Sequence, residues 1–403
     1  MYPKLRPIQP MPATHAGRRG FVLRDPLALN EGTLFLPHEL APVLALCNGT
    51  RDLAELSAAL MIRFGIRVPL QVMGQLIAQL DQAYLLDNER FAGAYAAALA
   101  TYHEAPFRPP MLAGKSYPAD PDRLAAYLAD FEATLDPDER ASESDADVRG
   151  VLSPHIDYPR GGRVYAGLWR RAASAARRAE LVIVLGTDHN GGGLVTLTRQ
   201  HYATPWGVLP TSRPVVDALA DALGERTAFR DELHHQAEHS IELAIDWLHA
   251  ALDGQTPELV PILTGSFQEF IDGPDLPDSH EKLRTVVEIL QEVTEHKRTL
   301  VIAAADLAHM GPAFGGPPLD FAGRARLKRD DDQLLKAICE GNAEAFFRQI
   351  QTEGDRRNIC GLPPTYLALQ ILGPTHGQVT GYEICPADQA NTSSVSVAGV
   401  LWW

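Results

Sequence analysis

Two stretches decide the fold: Val151-Leu-Ser-Pro-His-Ile-Asp-Tyr158 and Leu181-Val-Ile-Val-Leu-Gly-Thr-Asp-His-Asn190. Each is a short apolar run that reads as a buried strand and ends in a histidine among turn-forming residues. In open α/β sheets ligands bind at the carboxyl ends of the strands. His155 and His189 therefore stand where a reactive centre would be built, and a third ligand would complete a metal site.

Working outward, Leu194 to Thr198, Leu259 to Leu263, Thr299 to Ala305, Val379 to Glu383 and Val395 to Leu401 read as further strands. Helices lie between them, including an amphipathic one over Ser279 to Lys297. This alternation predicts an α/β domain whose central β-sheet is flanked by helices. Just upstream, a helix is expected from Arg123 to about Leu135. The acidic run Asp136 to Asp147, nearly free of large apolar groups, reads as a solvated loop.

The first hundred residues read as a separate unit. Gly20 to Arg24 and Gly32 to Pro37 look like strands, and Leu40 to Leu46 like a short helix. Thr50 is the expected N-cap of a helix with Asp52 and Glu55 in its first turn. A last helix over Leu70 to Leu86 is expected to bury Val72, Met73, Leu76, Ile77, Leu80 and Tyr84. Helices with a small sheet in this order resemble a winged-helix α+β fold, and Cys47 to Leu56 is similar to peptide-binding domains of the PqqD type. We divide the chain into this domain (1–92), an alanine-rich connector (93–105) and the α/β domain (106–403).

A winged helix invites a DNA-binding reading, and charge decides against it. Residues 1–100 hold nine Lys/Arg against eight Asp/Glu, and no basic residue falls between Arg67 and Arg90. A recognition helix without cations lacks the phosphate neutralisation that supplies most non-specific affinity. The net charge of -15 argues the same way for nucleic acid and anionic membranes alike. No apolar run approaches the length of a membrane span, and the proline-rich N-terminus lacks a signal-peptide core, so a cytoplasmic protein is expected. Cys47, Cys339, Cys360 and Cys385 include no C-x-x-C pair, which excludes a zinc ribbon and a disulfide framework.

The remaining chemical residues gather in three places. Glu238-His-Ser-Ile-Glu242 opens a helix, placing Glu238, His239 and Glu242 near one another. Asp306-Leu-Ala-His309 follows the apolar strand Leu300 to Ala305, at another strand exit. Asn358-Ile-Cys-Gly361 puts Cys360 at a turn just before a helix, where a thiol has a lowered pKa. His201, His249, His280, His296 and His376 lack such placement and read as ordinary structural histidines. Gly191-Gly-Gly193 is followed by no Gly-Lys-Ser/Thr, so nucleotide binding there is rejected.

In order, the motifs resemble those of the Memo family, the B protein of the AmmeMemoRadiSam system in bacteria and archaea. Arg108 to Pro118 is similar to the family's Arg-Pro-Pro-x-x-Ala-Gly-x-x-Tyr-Pro, and Pro154 to Tyr158 to its Pro-His-Ala-Gly-Tyr. Gly186 to Asn190 resembles Gly-Pro-Ser-His-His, and residues 238–242 reproduce Glu-His-Ser-Ile-Glu. Ala305 to Gly311 resembles Ser-Asp-x-x-His-x-Gly, and residues 359–361 reproduce Ile-Cys-Gly. The family resembles class III extradiol dioxygenases, non-haem iron enzymes, in fold.

The resemblance implies that His155, His189 and Cys360 are metal ligands and that His309 is the acid/base residue. Asp306, Glu238 and His239 would orient ligands or substrate. Three protein ligands with an open position suit a catalytic divalent metal, and a thiolate softens the site; iron is expected first, copper or zinc next. Asp306 is expected to hydrogen-bond His309 and fix its tautomer. Asp157 stands where the family has glycine, and Asn190 where it has histidine. Two functions follow: a metal-dependent, dioxygenase-like redox enzyme acting on a small organic substrate, or a non-catalytic scaffold that binds a peptide in the cleft. The N-terminal domain is expected either to pack on the α/β domain or to hold a protein partner.

Overall fold

The computed structural model describes residues 2–8, 10–30, 32–137 and 147–403. Most of the acidic run expected as a solvated loop therefore lies outside the described residues. The chain forms two compact units, Met1–Ala105 and Pro106–Trp403.

In the first unit, β1 (Met11–His15), β2 (Arg18–Arg24) and β3 (Thr33–Pro37) make an antiparallel sheet. Four helices follow: α1 (Pro42–Leu46), α2 (Leu53–Phe64), α3 (Leu70–Gln82) and α4 (Glu89–Glu104). Strand β1 is not announced by the sequence: it is exposed at both ends and carries no apolar alternation. The N-cap of α2 is Asp52 rather than Thr50. The Asp52 carboxylate accepts from the amides of Ala54 and Glu55, and the Glu55 side chain accepts from the Asp52 amide. Thr50 spends its hydroxyl on Asn48. Helix α3 stops at Gln82 because Tyr84 takes a left-handed φ of 55°. It buries Met73, Leu76, Ile77 and Leu80, whereas Val72, at the edge of that stripe, is exposed. The alanine-rich stretch is helical: residues 93–104 belong to α4.

The second unit is built on an eight-stranded mixed sheet. Strands β4 (Gly150–Ser153), β10 (Thr299–Ala304), β5 (Leu181–Thr187) and β9 (Glu258–Thr264) run parallel in that spatial order. β6 (Val195–Leu197) pairs antiparallel with β9, and β13 (Ser394–Trp402) antiparallel with β4. β13 also pairs with β12 (Gly377–Pro386) and with the two-residue β11 (His309–Met310). A separate hairpin joins β7 (Tyr202–Thr204) to β8 (Gly207–Leu209). β4 and β5 are buried along their whole length, so they read as continuous apolar runs rather than as alternation. The reason is cover on both faces. One apolar core packs α5 (Pro121–Glu132), α6 (Tyr158–Arg178) and α7 (Ser240–Ala251) on the sheet; another packs α8 (Glu281–His296), α9 (Phe321–Cys339), α10 (Ala343–Thr352) and α11 (Leu362–Leu372).

Register brings the chemical residues together. Ser153, Ala304 and Gly186 lie on one rung across β4, β10 and β5. His155, Asp306 and His189 follow two or three residues beyond that rung, on three adjacent strand exits. A Cβ at Gly186 would fall 2.7 Å from Ser240 Oγ and 2.6 Å from Ile241 Cγ1, so glycine there admits the start of α7 against the exit of β5.

Candidate metal centre

His155 is buried, and its Nδ1 lies 2.9 Å from the Ala304 carbonyl oxygen. A carbonyl only accepts, so Nδ1 carries the proton and Nε2 turns to the site, 3.2 Å from Cys360 Sγ. His189 and His239 are fixed the same way by one carboxylate. Glu238 oxygens stand 3.0 and 3.1 Å from His189 Nδ1, and 3.1 Å from His239 Nδ1. Glu238 also accepts from the backbone amides of His189, His239 and Ser240. The His189 and His239 rings stack with centroids 4.9 Å apart, and His155 meets them edge-on at 5.1 and 5.6 Å. Donor atoms of the three imidazoles lie within 4.8 Å of one another, so His155, His189 and His239 could hold a metal ion.

Cys360 joins this cluster through His155 and through a hydrogen bond with His189. The three-donor group is thus His155, His189 and His239, where the expected set is His155, His189 and Cys360 with His239 orienting the ligands. The signal was present in Glu238-His239, since a carboxylate that orients one histidine can orient its neighbour. Cys360 is positioned by its own carbonyl, which accepts from Thr187 Oγ1 at 3.0 Å. Gly361 lets the turn close, because a Cβ there would clash with the Asp306 backbone carbonyl oxygen.

Charge in the site is tightly coupled. Burial opposes a proton on His155, but the Asp306 carboxylate and the Cys360 thiolate outweigh it and push the imidazole up to about 9. Burial is likewise overcome at His189, raised by Glu238 and Cys360. At Cys360 burial would raise the thiol, yet His155 and His309 hold it well below its ordinary value. Glu238 is held low against burial by His189 and His239. Anionic donors neutralised by imidazole protons are what a cation site presents when protons occupy it. The donor set fits a metal ion.

Asp306 does not serve His309. Its Oδ1 accepts from the amides of His155 at 2.9 Å and Ile156 at 3.2 Å, and Oδ2 lies 3.8 Å from His155 Nε2. Asp306 follows β10, next to the exit of β4, so the nearer strand claims it. His309 Nδ1 instead faces the carbonyls of Leu307 and Asn358 at 3.3 and 3.2 Å. That arrangement fixes the Nδ1–H tautomer.

Glu242 also points elsewhere. It is fully buried, pairs with the Arg108 guanidinium, and accepts from Met111 N, Leu112 N and Tyr117 Oη. Arg108 in turn donates to the carbonyls of His235 and Glu238, both at 2.8 Å. The opening Arg-Pro-Pro segment is thereby locked onto the loop that presents Glu238. Asp188, beside His189, accepts from His234 Nδ1 at 2.7 Å and from Asn190 N at 3.0 Å. Arg108 and His234 carry no local sequence signal of these roles, because their partners lie far away in the chain.

The fold and this cluster define a mixed α/β protein with a histidine-rich centre at the carboxyl ends of the parallel strands of a mixed sheet. A sequence model described as Memo-like protein matches residues 108–401, and the chain belongs to that family. Among its relatives, a MEMO1 family protein of Aquifex aeolicus is 27% identical over 402 residues, covering 95% of this chain and 96% of its own. A Thermus thermophilus MEMO1 family protein is 28% identical over 356 residues, covering 87% and 98%. Protein memo-1 homolog of Caenorhabditis elegans is 26% identical over 231 residues, covering 55% and 61%.

Proposed function

We propose that the protein is a metal-dependent redox enzyme, dioxygenase-like, that acts on a small organic substrate. The observation that carries this reading is the convergence of three imidazoles, each held at Nδ1 by an acceptor, with a thiol against two of them, His155 and His189. His155, His189 and Cys360 would hold a divalent ion, iron before copper or zinc, with His239 within reach of the same position. When bound, the ion supplies Lewis acidity and one-electron chemistry. The chain's own part is to hold and orient donors through Glu238 and Asp306, and to move a proton at His309 Nε2, the nitrogen its carbonyl contacts leave open.

The test is metal analysis of protein purified without oxygen, for the natural chain and for Cys360→Ser, followed by oxygen uptake with phenolic substrates. Stoichiometric metal that is lost in Cys360→Ser, with substrate-dependent uptake, supports the enzyme. Metal without uptake on any candidate substrate favours the scaffold reading. That alternative draws on the first unit, where Met61, Ile62, Phe64, Leu70 and Val72 are exposed on α2 and α3. A protein partner, rather than nucleic acid, suits such a surface, since α3 carries no Lys or Arg. Among the described residues no helix is long and apolar enough to cross a membrane. The free cysteines accord with a reducing, cytoplasmic setting.

A further inference from the structure

The turn that carries Cys360 is held in an unusual way, and the hold reaches His309. Asp355 and Asn358 both adopt left-handed φ, 45° and 50°, which side chains other than glycine rarely take. Local hydrogen bonds support the turn: Asn358 N donates to the Asp355 carbonyl, and Ile359 N donates to the Asp355 carboxylate, both at 2.9 Å. Between them Arg357 is fully buried, its guanidinium donating to Asp331 at 2.6 Å and to Glu353 at 2.7 Å. Asp331 also accepts from Tyr382 Oη at 2.8 Å. Buried ion pairs of this kind fix geometry more surely than they add stability.

This anchored turn grips His309 at three atoms. His309 N donates to the Arg357 carbonyl at 2.6 Å. The Asn358 amide nitrogen, Nδ2, donates to the His309 carbonyl at 3.1 Å. The Asn358 carbonyl faces His309 Nδ1 at 3.2 Å. One residue thus holds both the backbone and the ring of the histidine, and it lies two residues from Cys360.

We propose that Asn358 is a positioning residue, whose side-chain donor and left-handed backbone together fix the tautomer and direction of His309 and set the place of Cys360. This rests on the metal-enzyme reading only for its consequence in turnover; the positioning itself is a property of the metal-free chain. Asparagine suits the role because it tolerates positive φ and offers an amide donor. Glycine would satisfy the backbone alone, and aspartate would satisfy it while offering only acceptors at neutral pH.

The experiment uses the full chain with 15N-labelled histidine. Two-dimensional 15N–1H correlation spectra of metal-free protein report the His309 tautomer, assigned by loss of its signals in His309→Gln. Cobalt loading then reports Cys360 through its thiolate-to-cobalt charge-transfer absorption, assigned by its loss in Cys360→Ser. The natural chain is expected to show His309 protonated at Nδ1 alone. Asn358→Gly and Asn358→Asp are both expected to show a mixture of tautomers and a shifted, weakened charge-transfer band. A single Nδ1–H tautomer and an unchanged band in both variants would overturn the proposal. A change in neither readout for Asn358→Asp, with a change for Asn358→Gly, would also overturn it, since the donor would then be dispensable. If cobalt fails to bind the natural chain, the metal-enzyme reading falls, while the tautomer comparison still decides the role of Asn358.

Discussion

Glu238 and Glu242 lie four residues apart in the same five-residue motif, Glu238 in the loop before α7 and Glu242 in the first turn of that helix, and both carboxylates are buried, yet they belong to different machinery. Glu242 is saturated by permanent donors: Arg108, two backbone amides and the Tyr117 hydroxyl. Glu238 is also hydrogen-bonded to backbone amides, but its side-chain partners are the imidazoles of His189 and His239. A guanidinium cannot exchange its charge for a metal ion. An imidazole can, because the proton on its far nitrogen is replaceable. The difference teaches that burial and nearness in sequence do not define a carboxylate's role; the exchangeability of its partners does.

The largest expected effect lies on the Glu238 side of the comparison. His309→Ala is expected to lower turnover by about two to four orders of magnitude, the usual worth of a positioned acid or base, while metal content stays near normal. Metal analysis beside oxygen uptake measures both. Loss of metal, as in His155→Ala, would make His309 a ligand; retained turnover would remove its proton-transfer role.

On the Glu242 side the expected effect is on stability. Glu242→Ala leaves the Arg108 guanidinium buried without its carboxylate, and should destabilise the fold by about 3–5 kcal/mol. Urea denaturation of the metal-free chain would read it. Glu238→Gln sharpens the contrast: it should weaken metal binding by about 10–100-fold, as loss of a ligand-orienting carboxylate does. A stability loss in Glu238→Gln equal to that of Glu242→Ala would break the comparison.

The smallest effect is a pH dependence. His155 and His189 are raised above their ordinary value of 6.5, and Cys360 is lowered below its ordinary 9.0. Between about pH 6.5 and about 9, the limits set by His155, the native metal-free site holds two imidazole protons where the unfolded chain holds one thiol proton. The native state therefore binds one proton more (two minus one), and its contribution to stability must fall as pH rises through that window. Metal affinity must rise over the same window, because the ion displaces the imidazole protons. Thermal melts of the metal-free protein and metal titrations across the window test the opposite signs. Parallel trends would show that the imidazoles are not the proton carriers.

Much of this was legible in the chain. Continuous apolar runs ending in Pro154-His155 and Asp188-His189 announced buried parallel strands with chemistry at their exits, since a strand covered on both faces has no polar alternation to show. Cys360 before a helix, and Asp306 after the strand Thr299–Ala304, were likewise readable as local patterns. The less regular parts were not: β1 has no apolar alternation, and Thr50 and Asp52 are both acceptable caps until hydrogen bonds choose Asp52.

What the sequence by itself determined was the set of strand exits and the residue types placed on them, because those follow from hydrophobic periodicity and turn chemistry within a few residues. Only the tertiary structure decided who touches whom. The strand order β4-β10-β5 sends Asp306 to His155 rather than His309, the close approach of α7 brings His239 beside His189, and Arg108 finds Glu242 across more than a hundred residues. The physical reason is that a hydrogen bond or a metal site depends on distances of a few ångströms, and those are set by sheet register and helix packing.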